Sequence, residues 1–188
     1  MVEPITLAAV GSVVLTEGIK FLYKQAGEIL KHWRERQADA AKQATTAPEA
    51  NVADPKLFEG TLAPLVVHFD RVEPLAPSLK DLWVSLTTYA QGLDEVETSN
   101  AELLSKADML RRQLEAIYGQ RITFRGEPRA SSGTPVVVGT ADLETIAGQA
   151  AGVIAGTIAS GTIHGELRAK RVEPGAQAAG VKVDRIGG

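Results

Sequence analysis

The side chains best suited to chemistry in this chain are three histidines, His32, His68 and His164. Imidazole binds metals and titrates near neutral pH, so histidines paired at helical spacing would point to a metal or acid–base site. These three fall in separate segments, and no two are three or four residues apart. Asp70, beside His68, is the carboxylate weighed as a companion, and one such pair does not make a zinc or iron site. Cysteine is absent, which removes thiolate ligands, disulfides and cysteine nucleophiles together. The chain has no GxxxxGKS/T phosphate loop, no GxGxxG turn and no nucleophile elbow. No catalytic residue, cofactor or metal ligand is therefore expected, and the chain reads as a non-enzyme.

Two charged clusters remain. Asp94, Glu95 and Glu97 suit a solvated acidic turn. Arg111, Arg112, Arg121, Arg125 and Arg129 make a basic neighbourhood that Asp108, Glu115 and Glu127 partly offset. Complementarity to a helix end explains them better than a phosphate contact. A net charge of −3 and a pI near 5.7 also argue against general affinity for nucleic acid, which depends on a net basic face.

The elements that position these residues are mostly helical at first. Residues 1–37 read as one long amphipathic helix, opening at Pro4. Its apolar positions, among them Leu15, Ile19, Leu22, Ile29 and Trp33, recur in steps of three and four. That heptad seam predicts a partner helix or a second copy of the chain, so these five are the candidate interaction residues. From Pro4 to Thr16 there is no charge. The run is short against the ~20 apolar residues of a membrane span, though it suits an interfacial anchor or one wall of a pore. Residues 38–55 are rich in Ala, Thr and Pro and read as a flexible linker. Residues 56–119 read as a helical hairpin region. Its first helix is expected to open at Ser78, with Asp81 completing a capping box; the second opens at Asn100 and ends at Gly119. Residues 120–135 read as a short strand around Ile122 and Phe124, followed by a loop.

The grammar then changes. Residues 136–188 form a Gly-rich tail, and the last 50 residues hold 10 of the 18 glycines. Four strings begin at Gly139, Gly152, Gly165 and Gly180, spaced 13, 13 and 15 apart, and each reaches an aliphatic residue soon after: Ile146, Ile158, Val172 and Ile186. Glycine punctuation with short β-branched runs predicts stacked strands in which these four line the repeat core and the glycines permit sharp turns between rungs. Gly148, Gly152 and Gly156, spaced by four, leave a close-packed helix open as a rival, and an unstructured tail is a second. Unpaired strand edges of this kind can template another copy; Glu166, Arg168, Lys170, Arg171, Lys182, Asp184 and Arg185 are candidate guards against uncontrolled pairing. The fold class expected is α+β: an N-terminal helical bundle or long helix followed by a small Gly-rich β region of stacked short strands, β-solenoid-like.

The string LRRQLEAIYGQRITFRGE at 110–127, followed by the glycine-punctuated tail, resembles an uncharacterised bacterial family of the high-GC Gram-positive type. The opening VEPITLAAVGSVVLTEGIKFLY is similar to N-terminal helices of bacterial signalling and conflict-system proteins. More loosely, the order of parts resembles fungal incompatibility proteins, in which a helical effector domain precedes an assembling β-solenoid, and the tail resembles the rungs of bactofilin scaffolds. The resemblance implies a non-enzymatic effector or adaptor that self-associates or binds protein partners in a signalling or defence assembly. Two alternatives stand beside it: a structural scaffold polymerising through the tail, and a pore-type effector inserting its N-terminal helix. A homo-oligomer, protein partners and no nucleic acid are expected, with a cytoplasmic location and membrane contact through the first helix as its alternative.

Overall fold

The computed structural model describes residues 5–38, 55–158 and 161–186, and the fold is α+β. The chain divides into two compact units, Met1–Gly133 and Thr134–Gly188. The expected linker lies almost wholly within 39–54, outside the described residues.

The first unit is helical. A single 3-10 turn at Leu7–Ala9 ends where Val10 becomes extended (φ −82°, ψ 138°), and α1 runs Ser12–Ala38. The helix expected from residue 4 is thus interrupted at Val10–Gly11, where glycine is a weak helix former. At 27 residues α1 is about 40 Å long. Helix α2 spans Phe69–Ser85, α3 is the short Thr87–Ala90, and α4 spans Ala101–Tyr118. Helix α1 packs on α2, α3 and α4, and α2 packs on α4.

Two boundaries follow simple chemistry. Asn100 caps α4, its side chain accepting from the Leu103 N–H at 3.0 Å. Gly119 closes it in the left-handed region at φ 69°, donating its N–H to the Glu115 carbonyl. The start of α2 differs from expectation. It opens at Phe69, so Pro74 and Pro77 lie inside the helix and Ser78, expected as the cap, donates its hydroxyl to the Leu75 carbonyl. Each internal proline removes a helical N–H, a defect costing roughly 3 kcal/mol in an isolated helix. Burial of Val72, Ala76 and Leu79 on one face offsets it.

Residues 120–133 form a loop buried at 120–124, Glu127 and Ser132, where a short strand is expected from the alternation of Ile122 and Phe124. Both side chains are fully buried, yet Phe124 makes only an isolated antiparallel bridge with Phe58. The Phe124 ring is stacked with that of Phe58 at 5.8 Å and presses on Gly18 of α1, where an added Cβ would lie 3.0 Å from it. Backbone bonds from Glu59 to Thr123 and from Ser132 to Glu59 hold the extended stretch around Phe58 between two parts of this loop.

Ions hold the loop to α4. Arg111, 1% exposed, pairs with Asp108 and with Glu127. Glu127 also accepts from the Thr6 hydroxyl at 2.5 Å and from the Phe124 N–H at 2.7 Å. Glu115 accepts from the Ile122 N–H at 2.9 Å and lies against Arg129 and Arg121 at 3.2 and 3.6 Å. The buried charges balance, with Arg111, Arg121 and Arg129 against Asp108, Glu115 and Glu127. Burial alone would lower the Arg111 pKa, but the Glu127 and Asp108 carboxylates overcome it and hold the guanidinium above its usual value. Of the five arginines of that neighbourhood, Arg111, Arg121 and Arg129 thus belong to an internal network, Arg112 pairs with Asp108 at its margin and Arg125 is exposed.

In the second unit, β1 (Val136–Ile146) pairs in parallel with β3 (Thr162–Val172), and β2 (Gln149–Ile158) pairs in parallel with β4 (Gln177–Ile186). The result is two small two-stranded parallel sheets. Neither the rival helix across Gly148, Gly152 and Gly156 nor a single closed solenoid forms among the described residues.

Removing one partner of a buried ion pair leaves an uncompensated charge, at a cost of about 3–5 kcal/mol. Arg111→Ala should therefore lower the denaturation midpoint of the helical unit sharply. Lys106→Ala, which removes only the surface pair with Glu102, should hardly move it. Equal shifts in thermal unfolding would refute a structural role for the network.

Candidate functional site

The residues singled out by periodicity separate into two groups. Leu15, Ile19, Leu22 and Ile29 are each 1% exposed or less, and Trp33 is partly buried against the same core. The seam is real, but its partners are α2, α3 and α4 of the same chain. Of the two partners expected for it, a helix or a second copy of the chain, the structure supplies helices of the same chain. Leu7 and Val10, from the uncharged opening run, are likewise in the core. Among the described residues no helix is long and apolar enough to cross a membrane.

The tail residues fare differently. Ile146 faces Val172 and Ile158 faces Ile186 in strand register, so the four aliphatics do pair two by two. Ile146 is buried, but Val172 is 51% exposed, which corrects its assignment to a common repeat core.

The repeat that matters is twice as long as the sequence spacing suggests. Gly139 pairs with Gly165, 26 residues on, and Gln149 with Gln177, 28 residues on. One rung is β1, a corner and β2; the next is β3, a corner and β4. The two extra residues sit in the second corner, where Glu173 to Ala176 replace the shorter Ala147–Gly148 bend. The corners continue the hydrogen-bond ladder. Glu173 donates its N–H to the Ile146 carbonyl at 2.9 Å, and Gln177 to the Gly148 carbonyl at 2.8 Å. Rung lies on rung through strand, corner and strand.

The most legible trace of this repeat was a pentapeptide. Residues 149–153 and 177–181 both read QAAGV, and they pair with one another in register: Gln149 with Gln177, Ala150 with Ala178, Ala151 with Ala179, Val153 with Val181. A search for glycine-to-aliphatic offsets passes over it.

The glycines at the starts of the four strings are not at turns. They lie within strands, where the two sheets meet backbone to backbone. An added Cβ at Gly139 would overlap the Gly152 carbonyl, and one at Gly165 would overlap the Gly180 carbonyl. A Cβ at Gly152 would come within 2.6 Å of the Glu166 carbonyl oxygen. The same contact thus recurs in both rungs. Turns use other glycines, such as Gly175 at φ 85° in the second corner.

Elsewhere the helical unit presents an open groove of about 620 Å³ between α1 and α2, lined by Trp33, Trp83, Lys31, Arg34, Lys80 and Asp81 among others. Trp83 stacks on Tyr23 at 5.0 Å and donates its indole N–H to the Tyr23 carbonyl, so its orientation is set from within. His32 sits 3.7 Å from Glu28 and 3.2 Å from Glu35 on exposed turns of α1. Those carboxylates stand at helical spacing in the sequence, a signal the comparison with Asp70 alone overlooks. They form a polar cluster on the surface of α1, and among the described residues no group of three or more His, Asp or Glu side chains is placed to hold a metal ion. His68 precedes α2 without capping it through its side chain, and His164 lies in β3.

No family model matches the chain, and neither a curated protein nor a solved structure does so.

A side chain at a glycine crossing must force the sheets apart, whereas one at an open corner need not. Gly165→Ala should raise amide hydrogen exchange in the four β-strands while leaving α1, α2 and α4 protected. Gly148→Ala, which meets nothing within 4 Å, should leave both units as they are. Comparable exchange in the two variants would show that the crossings do not set the β unit.

Proposed function

We propose that this chain is a non-enzymatic effector or adaptor that joins copies of itself through its C-terminal unit, a β-solenoid-like stack of two rungs, in a bacterial signalling or defence assembly. The observation that carries this reading is the in-register pairing of identical QAAGV segments between rungs. A surface that already stacks on its own near-copy within one chain offers the same register to a second chain.

Three physical features support it. Among the described residues each sheet has two strands, so each strand has one edge that no other strand covers, a template for further pairing. Repeat units bury a face only by stacking on a neighbour, so the outer face of each rung described here suits a further rung. Finally, Val137, Leu143, Val172 and Val181 remain 37–51% exposed, more aliphatic surface than two rungs cover. The helical unit has its own core and its own groove, which favours an effector or adaptor over a bare scaffold. The bacterial signalling or defence setting rests on the resemblance of the opening helix and of residues 110–127.

If the reading is right, the full chain forms concentration-dependent assemblies in sedimentation velocity, and a chain ending at Gly133 stays monomeric. A full chain that remains monomeric at every concentration, or a truncated chain that assembles equally well, would overturn it.

A further inference from the structure

The two rungs carry opposite charge on the strands that pair. Strand β1 has Asp142 and Glu144 and no base, whereas β3 has Arg168, Lys170 and Arg171 against the single Glu166. Within the chain these meet in register. Asp142 lies opposite Arg168, and Glu144 accepts from the Lys170 ammonium at 2.9 Å. Both side chains of that pair are largely exposed, 85% for Glu144 and 79% for Lys170. The free edge of β1 therefore belongs to an acidic strand, and the free edge of β3 to a basic one.

Resting on the self-association reading above, we propose that a second copy adds head to tail, its acidic β1 against the basic β3 of the first, in the register that joins the two strands within one chain. The backbone offers hydrogen bonds whichever edges meet, so hydrogen bonding alone does not choose a direction. Charge does. Placing β3 on β3 would bring two net-basic strands together, and β1 on β1 two acidic ones. Opposite charges directly across a strand pair stabilise it and like charges destabilise it. Head-to-tail addition instead repeats Asp142 opposite Arg168 and Glu144 opposite Lys170 at every junction. It repeats the second sheet as well, since the QAAGV of β4 then meets the QAAGV of β2 in the register already seen. The charges that the sequence suggests as guards of an exposed edge act here as a selector of which edge is accepted. An exposed ion pair contributes little by itself, but direction depends only on the difference between attraction and repulsion.

The test uses the full chain and a charge-exchanged form, D142K/E144K/R168E/K170E, in which each rung keeps a complementary neighbour inside its own chain. Sheared wild-type assemblies should shorten the lag of wild-type assembly, and exchanged assemblies that of the exchanged chain. Crossed seeding should be slower by about tenfold, because two register pairs per junction turn from attractive to repulsive. Raising the ionic strength towards 1 M, where the screening length falls to about 3 Å, should narrow that gap. Should the fourfold variant not fold, the same crossed seeding with E144K/K170E alters only the surface pair and should show a smaller gap of the same sign. Crossed seeding as fast as matched seeding, or faster, would overturn head-to-tail addition while leaving self-association standing, since like edges become complementary in a mixed junction. A wild-type chain that forms no assemblies would remove both readings together.

Discussion

At Gly139 against Gly152, and again at Gly165 against Gly180, two β-sheets approach until a single Cβ would strike a carbonyl oxygen. Everything else in the C-terminal unit follows from that closeness. Stacked sheets normally stand about 10 Å apart with side chains between them. Where the backbones touch, there is no volume for side chains between them; among the residues of this unit whose burial is described, Val136 and Ile146 are the buried hydrophobics. Cohesion must run along the stack, from rung to rung, through parallel hydrogen bonds and their continuation around the corners at Ile146 and Gly148. A structure held mainly in that direction is completed by more rungs, not by more side chains.

The helical unit solves the opposite problem. Its aliphatic seam on α1 is deep enough to be shared among three other helices, and its difficulty is the buried charge of α4 and the loop after it. Arg111 donates to two carboxylates, and Glu127 answers with contacts to Arg111, Thr6 and the Phe124 N–H. That arrangement fixes where Phe124 can enter, and Phe124 in turn requires glycine at position 18 of α1. Burial also raises the pKa of the Tyr118 phenol, aided by the Glu28 carboxylate, so its hydroxyl stays a donor to Gln25 at 2.7 Å. Polar groups of this sort specify one packing among several that an apolar seam would tolerate.

How much of this was legible in the sequence depended on the range of the interaction. Local chemistry was readable: Asn100 and Gly119 mark the two ends of α4 because caps are made by residues a few positions apart. The α1 seam was readable as a stripe, but a stripe does not name its partner, and the partner turned out to be the same chain. The start of α2 was hidden because Pro74 and Pro77 argue against helix locally while Val72, Ala76 and Leu79 argue for it through packing that only the folded unit supplies. Asp108, Glu115 and Glu127 were visible as partial counterweights to the arginines of 111–129, but which carboxylate meets which arginine was not, because Glu127, Arg121 and Arg129 reach α4 only when the loop folds back. In the tail, glycine spacing was the right signal with the wrong meaning. A glycine needed for a turn and one needed for a backbone crossing look alike in sequence; what separates them is the neighbour across the space, here another glycine of the same rung.

The number of rungs sets the economics of the C-terminal unit. In repeat architectures stability is nearly a sum of terms for each repeat and each interface between neighbours. The described residues form two rungs and one interface between them. In the proposed stack each added copy brings its internal interface and forms a new one at the junction, so the favourable term per chain approaches double while the cost of ordering its residues is unchanged. The first junction is the hardest to make, because two loosely held rungs must be ordered before either gains. Later copies meet an edge already ordered by its neighbours. In the proposed stack, exposed aliphatics, bare edges and a charge pattern that distinguishes one edge from the other would make assembly begin slowly, then extend readily and in one direction.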